Sequence, residues 1–305
     1  MLITGAAGFA GGHLLDLLTA EGVDVVAWHR RDGTPPRPMP RATWHAVDLL
    51  DRQSVLEALG RTRPARVYHC AGAAHVGKSW ESAEPTFATN VRGTHHVIEG
   101  LRELQIDARV LIPSSAMVYG GSDQALREDH PLAPASPYAL SKLAQEMVGG
   151  GNPGGPDTLI ARAFNHFGPR QDPWFVASGF ARRIADIEAG RWAPEMSVGN
   201  LDARRDLTDV RDTVRAYRLI LERGAAGRAY NVCSGRAVAI RDLLDVLLAR
   251  ARVPIQIKPD PARYRPNDLP LLLGDPGRIR DELGWRAEIP LEQTVDDLLQ
   301  YWRTR

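Results

Sequence analysis

The chain has 305 residues, and its 38 lysines and arginines against 37 aspartates and glutamates leave a formal net charge of +1. This balance gives no support for a surface that binds nucleic acid or a membrane. No apolar run approaches the roughly 18 residues of a membrane span, and no ligand spacing indicates a metal site. The length suits an α/β domain with a smaller second lobe. The two distant cysteines, Cys70 and Cys233, indicate reduced thiols in a cytoplasmic protein.

A glycine-rich turn between a strand and a helix begins the chain. The apolar run Leu2–Thr4 predicts a short strand, and leucines at helical spacing follow the segment 5–11, Gly-Ala-Ala-Gly-Phe-Ala-Gly. Glycines permit the tight turn and the close approach of backbone to a pyrophosphate, and the N–H groups that begin a helix bind phosphate. We therefore predict a dinucleotide site at Gly5, Gly8, Phe9, Ala10 and Gly11, with a glycine loop that binds nothing as the alternative. No basic segment precedes the strand, which argues against a signal peptide, and we expect a few native residues before Met1.

The end of the second predicted strand, residues 23–28, bears on the choice of dinucleotide. An enzyme that uses NAD usually places a carboxylate there to hold the ribose 2′-hydroxyl. Arg30 and Arg31 follow instead, and guanidinium groups suit a 2′-phosphate by charge and by their fork of donors. The sequence thus favours NADP(H) over NAD(H), unless both arginines are solvated loop charges. After the fourth predicted strand come small residues that let the backbone approach the cofactor, namely Ala71, Gly72 and Ala73.

The middle of the chain supplies polar candidates around this site. Ser79 is predicted to lie in a loop that reaches substrate, and Asn90 lies in a long predicted helix, residues 86–104, beside the cofactor. Ser115 follows the apolar run 110–112. A hydroxyl at the carboxyl end of a parallel strand lies where open α/β sheets bind ligands. Ser115 can there hydrogen-bond a substrate carbonyl, although a serine after a strand is more often a turn residue.

Tyr138 and Lys142 provide the predicted chemistry. Four residues apart on a predicted helix, they lie on one face about one turn from each other. A phenol has a reference pKa of about 10, and a neighbouring ammonium lowers it. Tyr138 can then give a proton to a carbonyl oxygen, or take one from an alcohol, near neutral pH. Residues 149–155, rich in glycine, are predicted to end this helix in a flexible loop.

Together, the glycine-rich turn, Ser115 and the Tyr-x-x-x-Lys pair resemble the extended short-chain dehydrogenases/reductases, which act on nucleotide sugars. Residues 162–171, 198–212, 230–235 and 260–266 resemble the GDP-mannose branch. The greatest similarity is to reductases of GDP-4-keto-6-deoxy-D-mannose, which form GDP-6-deoxy-D-mannose (GDP-D-rhamnose). The resemblance implies an NADP-binding Rossmann domain over residues 1–165, a doubly wound parallel sheet to which 207–232 return. It implies a nucleotide-sugar-binding lobe over 166–305.

The same resemblance assigns roles to individual residues. It makes Ser115, Tyr138 and Lys142 the catalytic triad, with Tyr138 and Lys142 also at the cofactor. It places Asp48 and Leu49 at the adenine. Its substrate-side residues are Ser79, Ser115, Met117, Asn165, Asn200, Arg205 and Arg265. Dimers of the family pack the helices that carry Asn90 and Tyr138 into a four-helix bundle, which implies a homodimer.

Met117 bears on which reaction of the family to expect. The dehydratases of the family carry an acid two positions after the catalytic hydroxyl residue, whereas Met117 cannot exchange a proton. Dehydration by the family's usual route is therefore disfavoured, although a lyase of that kind stays an alternative. A nucleotide-sugar 4-epimerase also stays open, because it needs only the triad. A sensor that binds dinucleotide without catalysis is a further alternative, but it has no need of all three residues.

Overall fold

The computed structural model describes residues 1–31, 33, 38–150, 154–264 and 269–305. Its strands are β1 (Leu2–Thr4), β2 (Val25–His29), β3 (Ala42–Ala46), β4 (Arg66–His69), β5 (Arg109–Ser115), β6 (Asp157–Ala163), β7 (Asn165–Phe167), β8 (Glu195–Val198), β9 (Arg204–Asp209), β10 (Ala229–Val232), β11 (Ala237–Ala239), β12 (Gln256–Pro259) and β13 (Leu271–Leu272). Its helices are α1 (Phe9–Ala20), α2 (Arg52–Thr62), α3 (Val76–Glu81), α4 (Glu84–Phe87), α5 (Gly93–Glu103), α6 (Pro137–Gly150), α7 (Val176–Glu188), α8 (Val210–Arg223), α9 (Ile240–Leu248), α10 (Gly277–Leu283) and α11 (Leu291–Arg303).

Seven parallel strands form the main sheet in the order β3-β2-β1-β4-β5-β6-β10. The order reverses direction between β1 and β4, so their carboxyl ends at Thr4 and His69 border a crevice. Open α/β sheets bind ligands at such a switch point. The predicted Rossmann fold, a doubly wound α/β sheet, is confirmed.

Helices cover both faces of this sheet. On one face α1, α8 and α10 share an apolar cluster that includes Leu14, Tyr217 and Ile279. On the other face α2 and α5 contribute Leu59 and Val97 to a second cluster. We had assigned the segment of α10 to the substrate lobe, but the helix packs on the main sheet because Ile279 and Leu283 belong to that sheet's core. No helix in the described part of the chain is long and apolar enough to cross a membrane.

The smaller lobe has its own core. Strand β9 pairs with β7, β11 and β13, and β8 pairs with β12. Helices α7, α9 and α11 pack there through Ile184, Leu243 and Leu298. Strand β9 leads directly into α8, so the chain passes from the lobe back to the main sheet within one residue.

Three local predictions are wrong. The sequence predicts that residues 47–49 end the third strand, but β3 ends at Ala46, so Asp48 and Leu49 lie in the turn after it. Ser79 lies in α3 and not in a loop. Helix α6 continues through Gly149 and Gly150. A Cβ at Gly149 would lie 2.1 Å from Ile112 Cδ1, so glycine allows the helix to pack closely on β5. Residues 151–153 of the predicted loop lie outside the described residues.

Candidate active site

The glycine-rich turn packs against the carboxyl end of β4. Gly5 has φ +66°, and a Cβ there would lie 2.6 Å from Ala71 Cα. A Cβ at Gly11 would lie 2.3 Å from Gly5 O, and Gly8 N donates to Gly5 O at 2.9 Å. Helix α1, which starts with Phe9 and Ala10, has no side-chain N-cap. The backbone N–H groups of a bare helix start suit a diphosphate, so these residues fit a bound dinucleotide.

Asn90 holds the neighbouring loop. It is fully buried in a π-helical turn, Ala88–Arg92, that joins α4 to α5. Its Oδ1 accepts from Ala73 N at 2.7 Å, and its Nδ2 donates to Ala73 O and to Ser141 Oγ. A Cβ at Gly72 would lie 3.0 Å from Asn90 Oδ1 and 3.9 Å from Lys142 Nζ. Since these partners use both N–H groups of the amide, the structure gives Asn90 the role of positioning the 71–73 loop.

The residues predicted at the adenosine end lie beside the carboxyl ends of β2 and β3. Arg30 directly follows β2, and both Arg30 and Arg31 are exposed. Asp48 is exposed and accepts from Leu50 N at 2.9 Å. The ring Nδ1 of His96 hydrogen-bonds Leu49 O at 2.8 Å, a contact from α5 that the sequence did not reveal.

The three candidate catalytic residues lie near one another at the carboxyl end of β5. Ser115 is the last residue of β5, as expected, and its Oγ accepts from Met117 N at 3.2 Å. Tyr138 lies at the start of α6, and its hydroxyl group lies close enough to Ser115 for that side chain to affect its pKa. Lys142 lies one turn further along the helix, 8% exposed, and its Nζ donates to Pro113 O at 2.6 Å and to Gln145 Oε1 at 2.7 Å.

Burial dominates the electrostatics of this group. It raises the pKa of Tyr138 above the usual value, and the Ser115 side chain opposes that rise. Burial lowers the pKa of Lys142 to about 8, against the attraction of Glu146 and Cys70. We expected Lys142 to lower the pKa of Tyr138, but the pKa is raised because desolvation outweighs other effects. Tyr138 is therefore a neutral phenol near pH 7, the state of a proton donor.

Ser79 supports the start of α6. It is 1% exposed, and its Oγ accepts from Tyr138 N at 3.1 Å and donates to Val76 O at 2.6 Å. Because both contacts are internal, they position the start of α6 at Tyr138, and a contact of Ser79 with the substrate stays a prediction.

The residues predicted to contact substrate come from both the main domain and the lobe. Met117 is half-buried beside Ser115, and Asn165 is exposed at the start of β7. Asn200 accepts from Asp202 N at 3.0 Å. Arg205, half-buried in β9, donates through Nη1 to Leu269 O at 2.7 Å. Arg265 lies outside the described residues.

A buried ion pair beneath the triad was missed at the sequence level. Arg162 of β6 and Glu146 of α6 are each 8% exposed and 2.8 Å apart. Glu146 also accepts from Ser114 Oγ, and Arg162 Nη1 donates to Tyr119 OH at 2.9 Å. The pair ties α6 to β5 and β6. One signal existed, since Glu146 lies one helical turn after Lys142 and therefore on the same face.

Comparison with known proteins gives the context of this site. The family described as GDP-mannose 4,6 dehydratase matches residues 2–298. The chain belongs to this family. The GDP-6-deoxy-D-mannose reductase of Pseudomonas aeruginosa is 35% identical, over 100% of this chain and 97% of that protein. The resemblance to extended short-chain dehydrogenases/reductases of the GDP-mannose branch is confirmed.

Solved structures of similar proteins agree with this membership. RMD from Pseudomonas aeruginosa complexed with NADPH superposes with a TM-score of 0.87 at 33% identity, covering 99% of this chain and 98% of that chain. The UDP-glucose 4-epimerase of Thermus thermophilus, in complex with NAD, gives a TM-score of 0.88 at 27% identity, covering 99% and 98%. The fold of this GDP-mannose 4,6-dehydratase family member thus occurs in proteins bound to either dinucleotide.

Proposed function

We propose that the chain reduces the C4 ketone of a GDP-4-keto-6-deoxy-hexose to GDP-6-deoxy-D-mannose (GDP-D-rhamnose), with NADPH as the reductant. The supporting observation is a buried, neutral Tyr138 close to Ser115, together with a glycine-rich turn that fits a dinucleotide. The 35% identity to a GDP-6-deoxy-D-mannose reductase, over nearly the full length of both chains, supports the substrate.

The cofactor is held by the first half of the chain, residues 1–165. Gly5, Gly8 and Gly11 allow the turn to pack closely on neighbouring backbone, and the diphosphate lies at the uncapped start of α1. Asp48 and Leu49 border the adenine, and Arg30 and Arg31 take the 2′-phosphate, since guanidinium groups bind phosphate in a bidentate manner. When bound, NADPH supplies the hydride that reduces the ketone.

The protein supplies the proton and the orientation. Tyr138 donates its phenolic proton to the ketone oxygen as that oxygen gains negative charge, and the resulting phenolate regains a proton from solvent. Ser115 donates a hydrogen bond to the same oxygen, and such a preorganised donor is worth about 2.7–4 kcal/mol. Lys142 stabilises the phenolate by its charge and contacts the nicotinamide ribose.

The substrate lies between the main sheet and the lobe, residues 166–305. Arg205 and Arg265 bind its diphosphate, with Asn165 and Asn200 alongside. Arg205 suits this role because it is half-buried in β9, where a diphosphate would be partly desolvated.

Met117 separates reduction from dehydration. Elimination of water needs a group that exchanges a proton with the sugar, and a thioether cannot do so. Met117 lies two positions after Ser115, and its backbone N–H donates to Ser115 Oγ. Its side chain therefore stands beside the reacting carbon as an apolar contact.

We also propose a cytoplasmic homodimer. Leu140 and Met147 of α6 are 49% and 68% exposed and lie seven residues apart, so they form an apolar stripe along the helix. Both cysteines are free, and burial raises their pKa values, which suits a reducing compartment. Light scattering should give twice the chain mass, and charged residues at both positions should give a monomer. A monomeric wild-type protein would refute the dimer.

The deciding experiment follows NADPH absorbance with GDP-4-keto-6-deoxy-mannose as substrate. Stoichiometric loss of NADPH establishes the reductase. Turnover of a nucleotide sugar without added NADPH establishes an epimerase instead, because an epimerase returns its cofactor to the starting state. Binding of NADPH without any turnover on nucleotide sugars would leave a dinucleotide sensor.

A further inference from the structure

A network of buried hydrogen bonds runs from Lys142 of α6 to Thr4 of β1. Its members come from α6, α5, β4 and β1 and are at most 8% exposed: Lys142, Gln145, Thr94, His69 and Thr4. Such a network is stabilising only if its donors and acceptors match. The direction of each bond therefore carries information.

The direction of these bonds is fixed at Thr94. Its Oγ1 lies 2.6 Å from Asn90 O, and a carbonyl only accepts, so the single Thr94 proton points there. The same oxygen lies 2.8 Å from Gln145 Nε2 and 2.9 Å from His69 Nε2. Both nitrogens must then donate to it, which orients the Gln145 amide and assigns the Nε2–H tautomer to His69.

The hydrogen bonds at the other end of this network agree with the tautomer assigned to His69. His69 Nδ1 then accepts from Thr4 Oγ1 at 2.8 Å, and Thr4 Oγ1 accepts from Ala71 N at 3.2 Å. A neutral imidazole has one donor and one acceptor, as this arrangement requires. Burial and the charge of Lys142 lower the pKa of His69 to about 3, so the ring is neutral at physiological pH.

The orientation of Gln145 matters because its other atom faces Lys142. With Nε2 donating to Thr94, Oε1 points at Lys142 Nζ, 2.7 Å away. A flipped amide would set an NH₂ group against the ammonium, donor against donor. We propose that Gln145 is a positioning residue for the Lys142 ammonium, and that Thr94 and His69 lock its amide in the accepting orientation. The significance for catalysis rests on the proposed role of Lys142, whereas the test below needs no substrate.

Other charged and titratable groups also face Lys142 and must be held constant. Glu146 lies on the same helix and Cys70 follows β4, and their negative forms favour the ammonium. His69 of β4 is neutral, and Tyr138 lies one turn before Lys142 on α6. A variant at Gln145 changes none of these groups, so any change in the titration of Lys142 reports the lost acceptor.

The composition of the chain makes a direct titration practical. It contains three lysines, Lys78, Lys142 and Lys258. Lys258 pairs with Glu195 at the surface, and Lys78 lies over the Trp174 ring. NMR of protein labelled only at lysine side chains therefore shows three titrating signals, and the Lys142→Met variant identifies the signal of Lys142. In the wild-type protein this signal should titrate near pH 8.

The Gln145→Met variant keeps side-chain length and removes the acceptor. Hydrogen bonds to charged groups are strong enough that the midpoint of Lys142 should fall by about one pH unit or more. Thr94→Val removes the oxygen that holds the side-chain amide of Gln145, so this variant should also lower the midpoint of Lys142. The double variant should not exceed the larger single effect, because both act on one contact. An unchanged midpoint in Gln145→Met overturns the proposal.

Thr213→Val is the matched control. Like Thr94, Thr213 is a fully buried helical threonine whose hydroxyl donates to the carbonyl four residues earlier. Thr213→Val is expected to lower the stability of the protein and leave the titration midpoint of Lys142 unchanged. A shift of that midpoint equal to the shift in Thr94→Val would overturn the proposal. In the reductase assay, the alkaline limb of the kcat/KM profile should move with the NMR midpoint. If the assay shows no reduction but the midpoint shifts, positioning stands and the reaction must be reassigned.

Discussion

Tyr138 is the residue on which the proposed chemistry depends most directly. Replacing it with phenylalanine keeps the ring and removes the proton donor, so kcat should fall roughly a hundredfold or more, in line with general-acid contributions. NADPH consumption measures the effect. Tyr68→Phe is the control, since Tyr68 is a buried tyrosine whose hydroxyl has no hydrogen-bond partner among the described residues. Full activity of Tyr138→Phe would remove this residue from the mechanism.

Arg30 and Arg31 carry the proposed preference for NADP(H) over NAD(H). Replacing both with alanine removes two charges from the end of β2, where the 2′-phosphate of NADPH would lie. The KM for NADPH should rise about tenfold or more, whereas the KM for NADH, which lacks that phosphate, should change little. Steady-state kinetics with both cofactors provides the measurement. Equal effects on the two cofactors would contradict the preference for NADP(H).

The sequence reveals residues that act through local spacing and conceals those that act through distant contacts. Tyr138 and Lys142 were readable because one helical turn separates them, and Ser115 because a strand ends there. The partners of Gln145 and Thr4 were not readable. They lie 51 and 65 residues away along the chain, and only the packed sheet brings them together.

At the scale of elements, the contact between α1 and the glycine-rich turn leaves no room for a side chain at Gly11. A Cβ at Gly11 would lie 2.3 Å from Gly5 O, a backbone atom that cannot move aside. Gly11→Ala should therefore push α1 off the turn, lower the melting temperature and weaken NADPH binding at least tenfold. Fluorescence titration with NADPH and thermal unfolding measure both effects.

Gly12→Ala is the neighbouring control for that prediction. A Cβ at Gly12 would meet Ala6 O at 3.5 Å, an ordinary contact, and alanine favours helix over glycine by about 1 kcal/mol. This variant should keep NADPH affinity and be at least as stable as the wild-type protein. If Gly11→Ala and Gly12→Ala have the same melting temperature and the same NADPH affinity, the turn does not require the close packing of Gly11.

Elements were predictable where one pattern decides them. The apolar run 110–112 predicts strand β5, and the structure has this strand. Helix α10 was placed in the wrong lobe, because its apolar residues fit either core and only tertiary packing chooses. Gly149 was taken for a helix breaker, although in α6 its missing side chain admits Ile112. Propensity alone does not include such contacts.

At the scale of the whole molecule, helix α1 joins the cofactor side to the lobe. The Phe9 ring stacks on His166 of β7, with centroids 5.9 Å apart. The ring Nε2 of His13 hydrogen-bonds Pro169 O at 2.8 Å, and Arg170 pairs with Asp16 at 2.6 Å. The side of one helix thus contacts the segment that follows β7, and the start of the same helix is the proposed diphosphate site. Protonation of His13 would place a second partly buried positive charge beside Arg170.

Buried histidines make the folded state sensitive to mild acid. Burial lowers the pKa of His69 from 6.5 to about 3 and the pKa of His13 to about 4. Below pH 6.5 the unfolded state therefore binds protons that the native state does not. Stability is fully present above that pH and falls as the pH falls through this window. At pH 5, His69 alone should lower the free energy of unfolding by about 2 kcal/mol.

Urea unfolding between pH 7.5 and 5 measures this slope, and His69→Gln isolates one contribution. The chosen range stays above the pH at which ordinary carboxylates take up protons, since their reference pKa values are about 4. His69→Gln lowers stability at every pH, because it disturbs the bonds to Thr4 and Thr94. Between pH 7.5 and 5, the free energy of unfolding of this variant should nevertheless fall by about 2 kcal/mol less than that of the wild-type protein. Parallel curves would mean that His69 titrates in the folded protein as it does in the unfolded chain, and its assignment as a neutral donor to Thr94 would then be wrong.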